Sequence, residues 1–194
     1  MKIGIFGGTF NPPHIGHLIV AEYIREEAKL DKVIFIPCST PPHKQDKNYL
    51  SRIASPEHRF EMVKIAIKGN PYFEVSDIEI KRGGISYTID TINQLIEKFK
   101  NDEFYLLIGA DQFKEFHTWR SPYEIVKKVK LIVFNRPNYI IPDTEFSKFA
   151  EFITVPNIEI SASSIRKRIK DGKSIKYLVP DEVEKYIYAN GLYR

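Results

Sequence analysis

Short apolar runs recur along the chain, and most are followed by a longer stretch in which apolar residues return at helical spacing. The runs are Lys2 to Phe6, Val33 to Ile36, Phe73 to Val75, Phe104 to Ile108, Leu131 to Phe134 and Phe152 to Val155, and they read as strands. Amphipathic stretches lie between them at Ile15 to Lys29, Pro56 to Lys68, Ile89 to Phe99 and Pro122 to Lys128. Ile89, Ile92, Leu95, Ile96 and Phe99 carry the helical period most clearly. Such alternation marks an α/β chain. Because crossovers between parallel strands are right-handed, the simplest topology is a doubly wound, Rossmann-like parallel sheet in the order 3-2-1-4-5 with helices on both faces.

Several boundaries carry their own chemistry. Ser55-Pro56 and Ser121-Pro122 place a hydroxyl before a proline at the first helical position, and Glu124 completes the spacing of a capping box with Ser121. Gly69 and Gly191 stand where helices are expected to end. After Ile158-Glu159-Ile160 come Ser161-Ala162-Ser163-Ser164, a basic segment Ile165 to Lys170 and a last amphipathic segment Pro180 to Asn190, which predict two C-terminal helices. No linker or repeat interrupts the pattern, so residues 1–194 are expected to form one domain. Polar, proline-bearing loops fall at Cys38 to Asn48 and Asn135 to Asp143, and loops 38–48 and 109–120 are candidates to move on binding.

Composition narrows the class without naming a function. The chain has 194 residues, 43% of them hydrophobic and 28% charged, which is enough to bury a sizeable interior. No apolar run approaches the ~20 residues of a membrane-spanning helix. The opening Met1-Lys2 leads straight into the first strand without a secretory pattern, and Cys38 is the sole cysteine, so a reducing, cytoplasmic location without a membrane partner is expected. Lys plus Arg number 29 against 25 Asp plus Glu, a net charge of +4, mildly favourable for anions. The basic stretch Arg166, Lys167, Arg168, Lys170, Lys173 and Lys176 admits a nucleic-acid reading, but such helices are usually solvated faces, and no nucleic-acid partner is expected.

The segment richest in chemistry is Gly7-Gly8-Thr9-Phe10-Asn11-Pro12-Pro13-His14-Ile15-Gly16-His17, directly after the first strand and opening the first helix. Glycines allow a sharp turn with exposed N–H groups, and a helix start adds unsatisfied donors and partial positive charge, so an anion is favoured there. His14 and His17 lie three apart and would face the same way on one turn. Capping or core histidines and a metal pair are the alternatives; the metal reading lacks an in-phase third ligand, and no protein metal site is expected. In the proposed sheet, Gly109, Ala110 and Asp111 follow the fourth strand and would face the histidines across the crevice where strand order reverses.

His-x-Gly-His at His14 to His17, together with Ile160-Ser161-Ala162-Ser163-Ser164-Ile165-Arg166, resembles the two signatures of the nucleotidylyltransferase superfamily. Pro41-Pro42-His43-Lys44, Ser86-Tyr87-Thr88-Ile89-Asp90-Thr91, Gly109-Ala110-Asp111, Trp119 and Asn135-Arg136-Pro137 extend the likeness to the bacterial nicotinate-nucleotide adenylyltransferases over nearly the whole chain. The resemblance implies transfer of an adenylyl group from ATP to nicotinate mononucleotide, giving deamido-NAD and pyrophosphate in NAD synthesis, with Mg2+ arriving on the ATP phosphates. It assigns His17 to the α-phosphate with His14 beside it, Arg166 to the departing phosphates, and Lys44 to a phosphate. Gly8, Thr9, Phe10, Gly109, Asp111, Arg136, Ser163 and Ser164 would complete the ATP side, with Asp111 on a ribose hydroxyl. Trp119 would stack on the nicotinate ring, and backbone donors around Tyr87 and Thr88 would meet its carboxylate. Ala162 departs from the usual downstream signature, which carries Ser there, so no side-chain contact is expected from that position. Pantetheine-phosphate adenylyltransferases and cytidylyltransferases share the histidine motif but not the Trp119 and Thr88 features. Association into a homo-oligomer stays open.

Overall fold

The computed structural model describes residues 1–42, 53–136, 139 and 142–194. Six parallel strands form one sheet in the order β3-β2-β1-β4-β5-β6: β1 Lys2–Gly8, β2 Lys32–Pro37, β3 Phe73–Val75, β4 Glu103–Gly109, β5 Lys130–Phe134 and β6 Ala150–Ile153. The described helices are α1 Ile15–Glu27, α2 Pro56–Ala66, α3 Ile78–Arg82, α4 Thr88–Lys98, α5 Ala110–Lys114, α6 Pro122–Lys128, α7 Ala162–Lys170 and α8 Asp181–Ala189. None is long and apolar enough to cross a membrane.

Side chains alternate across a strand, and this sheet buries both faces, so its strands are apolar throughout. Ile3, Ile5, Ile34, Ile36, Leu106, Ile108, Leu131 and Val133 point to the face covered by α4 and α6, where they meet Ile89, Ile92, Leu95 and Ile125. Phe6, Val33, Phe35, Leu107, Ile132 and Phe134 point to the opposite face, covered by α1 and α2 through Val20, Ala21, Ile24 and Val63. A third cluster joins Met62 of α2 to Ile165, Ile169, Val183 and Ile187, seating the two C-terminal helices against α2.

The doubly wound sheet and the C-terminal helices are those the pattern predicts. Four local expectations need correction. The last strand ends at Ile153 rather than reaching Val155, whose N–H is taken by Asn135 Oδ1 at 2.6 Å and whose carbonyl accepts from Asn135 Nδ2 at 3.0 Å. A side chain therefore replaces the strand ladder at that residue. Ser121 does not cap α6: its backbone sits at φ 55°, its side chain makes no cap bond, and Glu124 pairs with Lys127 at 2.7 Å instead. The expected loop 109–120 contains helix α5 and a 3-10 turn at Phe116–Thr118, with Phe113 and Phe116 buried beneath it. The hydroxyl that caps α7 is that of Ser161, which accepts from the Ser164 N–H at 3.1 Å, so Ser163 and Ser164 lie inside the first turn.

One polar group organises the loops beyond the sheet. Arg59 of α2 is completely buried and donates to the carbonyls of Ala54 (3.0 Å), Thr9 (3.0 Å) and Ser39 (2.9 Å), tying the loops after β1 and β2 to one helix. Hydrogen bonds from a charged donor are stronger than neutral ones, and buried carbonyls are costly to leave unpaired. Arg59→Met keeps the length but removes every donor; it is expected to lower stability by about 3 kcal/mol, measured as a fall in the urea midpoint at unchanged slope.

Candidate nucleotide-binding site

The site begins where the two central strands part. β1 pairs with β4 only as far as Ile5 and Leu106, whereas it stays paired with β2 to Gly8 and Pro37. Past that point strand order reverses, the place where an open α/β sheet leaves a crevice at the carboxyl ends of its strands. A cavity of about 450 Å3 opens there, with Ile5, Gly8, Thr9, Leu106 and Ile108 at its base. Tyr87, Thr88, Trp119 and Arg120 stand around it. Of the residues expected to bind the mononucleotide, Tyr87, Thr88 and Trp119 are thus brought together, while Lys44 lies outside the described residues. Thr88 opens α4, so the unpaired N–H groups of that first turn lie at the cavity. Trp119 leans on Phe116 at 5.2 Å, and Arg120 lies over the Tyr87 ring at 4.7 Å.

Beyond Gly8 the loop folds back on itself. Phe10 takes φ 47°, and its ring comes so close to Gly8 that a Cβ there would stand 3.0 Å from it. Phe10 was expected beside ATP; its ring is buried, edge-on to Phe6 (5.7 Å) and to His17 (5.1 Å), where it props the histidine. His14 and His17 stack with ring centroids 3.7 Å apart. The His14 N–H donates to His17 Nδ1 at 3.1 Å, so the proton of a neutral His17 ring resides on Nε2, free for another acceptor. His14 Nδ1 is buried without a hydrogen-bond partner, a polar atom suited to a ligand or water.

Both imidazoles are held neutral. Burial lowers His14 from 6.5 to about 4, with the nearby Arg136 guanidinium adding to the effect. His17 lies well below its ordinary value through burial, then His14, then Arg136. They therefore act as hydrogen-bond donors or acceptors rather than as fixed cations. Arg136 supplies the charge: it stacks on Phe134 at 5.2 Å and faces Asp111 at 3.6 Å, too far for a hydrogen bond. Asp111 Oδ1 and Arg136 Nε, an ion pair without a hydrogen bond, are both buried atoms and both crowd Gly109, where a Cβ would stand 2.5 Å and 2.8 Å from them.

Arg166 reaches the same loop from α7, its Nη1 donating to the Asn11 carbonyl at 2.8 Å. Ser163 Oγ lies 3.2 Å from Ser161 Oγ, and Ser164 Oγ turns back to the Ser161 carbonyl at 2.8 Å, leaving the α7 N-terminus exposed beside them. Sequence reasoning missed the support of this loop. Asn11 Oδ1 accepts from the Ala54 N–H at 3.0 Å and from the Tyr193 hydroxyl at 2.7 Å, contacts that no local pattern announces. Arg59, Glu79 and Arg120 were missed for the same reason. Among the described residues no three His, Cys, Asp or Glu side chains are grouped to hold a metal ion.

Fold and site together define a nucleotidyltransferase of the α/β type, and residues 5–168 match the cytidylyltransferase-like family. A Dictyoglomus turgidum protein named "Probable nicotinate-nucleotide adenylyltransferase" is 50% identical over 199 residues, covering 100% of this chain and 96% of its own. The Bacillus subtilis nicotinate-nucleotide adenylyltransferase is 41% identical, covering 99% of this chain and 98% of its own. The chain belongs to the nicotinate-nucleotide adenylyltransferase family. Its fold is also that of a Plasmodium falciparum nicotinic acid mononucleotide adenylyltransferase complexed with NaAD, with TM-score 0.82 at 22% identity over 99% of this chain and 97% of that one.

The sign of the histidine effect is testable. An unfolded chain protonates His14 near 6.5 and the folded one near 4, so the stability this neutral ring contributes is complete above 6.5 and is lost as pH falls from there toward 4. The loss is on the order of 3 kcal/mol. Proton NMR of the imidazole resonances should find His14 titrating near pH 4 in the free protein, and His14→Gln should flatten that part of the stability profile.

Proposed function

We propose that this chain transfers the adenylyl group of ATP to nicotinate mononucleotide, forming deamido-NAD and releasing pyrophosphate. The observation that carries the proposal is the stacked, neutral histidine pair at the start of α1 together with the aromatic-walled cavity lined by Gly8 and Thr9 of the same loop. An acceptor seated in the cavity would point its phosphate toward the histidines. A phosphate oxygen of the mononucleotide attacks the α-phosphorus of ATP, a new P–O bond forms there, and the bond to the β-phosphate oxygen breaks. The nucleophile is already anionic, so positioning and charge stabilisation suffice.

His17 Nε2–H is assigned to the α-phosphate and His14 to the space beside it, while the α1 and α7 N-termini, Ser163 and Arg166 would take the outgoing phosphates. Gly109 leaves room for the nucleoside, whose ribose and base would meet those Asp111 and Arg136 atoms. Trp119 would stack on the pyridine ring, with the first turn of α4 donating to its carboxylate and so favouring acid over amide. Lys44 is assigned to the acceptor phosphate. Mg2+, carried on ATP oxygens and water, would neutralise charge on the departing pyrophosphate. The buried Cys38 thiol supports a reducing, cytoplasmic setting.

Incubating the protein with Mg-ATP and either nicotinate or nicotinamide mononucleotide should yield dinucleotide and pyrophosphate faster from the acid. Faster turnover of the amide, or product only with phosphopantetheine, would overturn the proposal. His17→Ala is expected to lower kcat by ~10² to 10³, as when one donor of a preorganised anion site is removed. In calorimetry, Gly109→Ala should weaken binding of a non-hydrolysable ATP analogue by about tenfold or more, because its Cβ displaces Asp111 and Arg136.

A further inference from the structure

Glu79 is the one buried carboxylate among the described residues, 7% exposed, and it lines the cavity. Thr91 Oγ1 donates to its Oε1 at 2.6 Å, and Ser86 supplies a second hydroxyl. Behind them, Ser86 Oγ accepts from the Ser39 N–H at 2.9 Å, and Thr91 Oγ1 accepts from Arg82 Nη2 at 3.0 Å. Each hydroxyl thereby keeps its own proton for an acceptor, and for Thr91 the Glu79 oxygen at 2.6 Å is nearer than the Tyr87 carbonyl at 3.4 Å. Burial pushes the Glu79 carboxyl up, while Thr91, Ser86, Arg82 and Arg59 pull it down.

A carboxylate facing a pocket for a ring that bears its own carboxylate gains nothing from meeting that group directly. Its value lies in what it holds: Ser86 and Thr91 bracket Tyr87 and Thr88, the residues at the cavity wall. We propose that Glu79 is a positioning residue for the acceptor, clamping Ser86 and Thr91 so that the Tyr87–Thr88 segment keeps its peptide donors aimed at the mononucleotide. This rests on the adenylyl-transfer reading above. It also explains why a buried acid lies on α3, a helix too short to be read from periodicity.

The test measures kcat and separate KM values for nicotinate mononucleotide and ATP, with thermal melting, in the wild type, Glu79→Gln, Thr91→Val and Thr91→Ser. Glu79→Gln and Thr91→Val are expected to raise KM for the mononucleotide by about tenfold while KM for ATP stays within about twofold. Thr91→Ser, which keeps the hydroxyl, should remain near wild type. Equal rises in both KM values, an unchanged acceptor KM, or loss of folding in both Glu79→Gln and Thr91→Val would overturn the proposal. A wild type inactive with nicotinate mononucleotide would instead remove the reading on which it rests.

Discussion

The chemistry of this fold depends on the central strands ceasing to pair after Ile5 and Leu106. A fully paired sheet would carry side chains of β1 and β4 to its rim and leave no space between them. Here β1 follows β2 instead, while β4 stays with β5 as far as Gly109 and Phe134. The gap is walled by apolar strand ends and answered by polar groups from loops.

Its electrostatics follow from dryness. Two imidazoles stacked at 3.7 Å beside a guanidinium disfavour each other's charge, and burial keeps them neutral. The charge is held by arginines whose guanidinium groups are already anchored, Arg136 on the Phe134 ring and Arg166 on the Asn11 carbonyl. Cations anchored in this way have little freedom left to lose, which is the structural form of preorganisation.

How much of this was legible in the sequence follows from the range of each interaction. The strands, the long helices and the glycine-histidine loop were readable because period and backbone chemistry are local. Helices α3 and α5 were not, since five residues show barely one turn of period. Ser121 had the spacing of a capping box but a left-handed backbone that denies it the cap. In the site, the histidines, Trp119 and Thr88 were found by motif. Arg59 and Tyr193 act through partners far along the chain and Glu79 through hydroxyls of the next helix segment, and nothing in their own neighbourhoods distinguishes them from surface residues.

The bond from Tyr193 to Asn11 spans 182 positions, joining the loop after the first strand to a residue that follows α8. Asn11 can adopt its final hydrogen-bonding only when the C-terminal helices have docked on α2. A chain in which those helices have come away from α2 therefore keeps the opening strand and its glycines, yet has the Asn11 loop unfinished. Docking of the far helices and completion of this loop are, for this protein, nearly the same event.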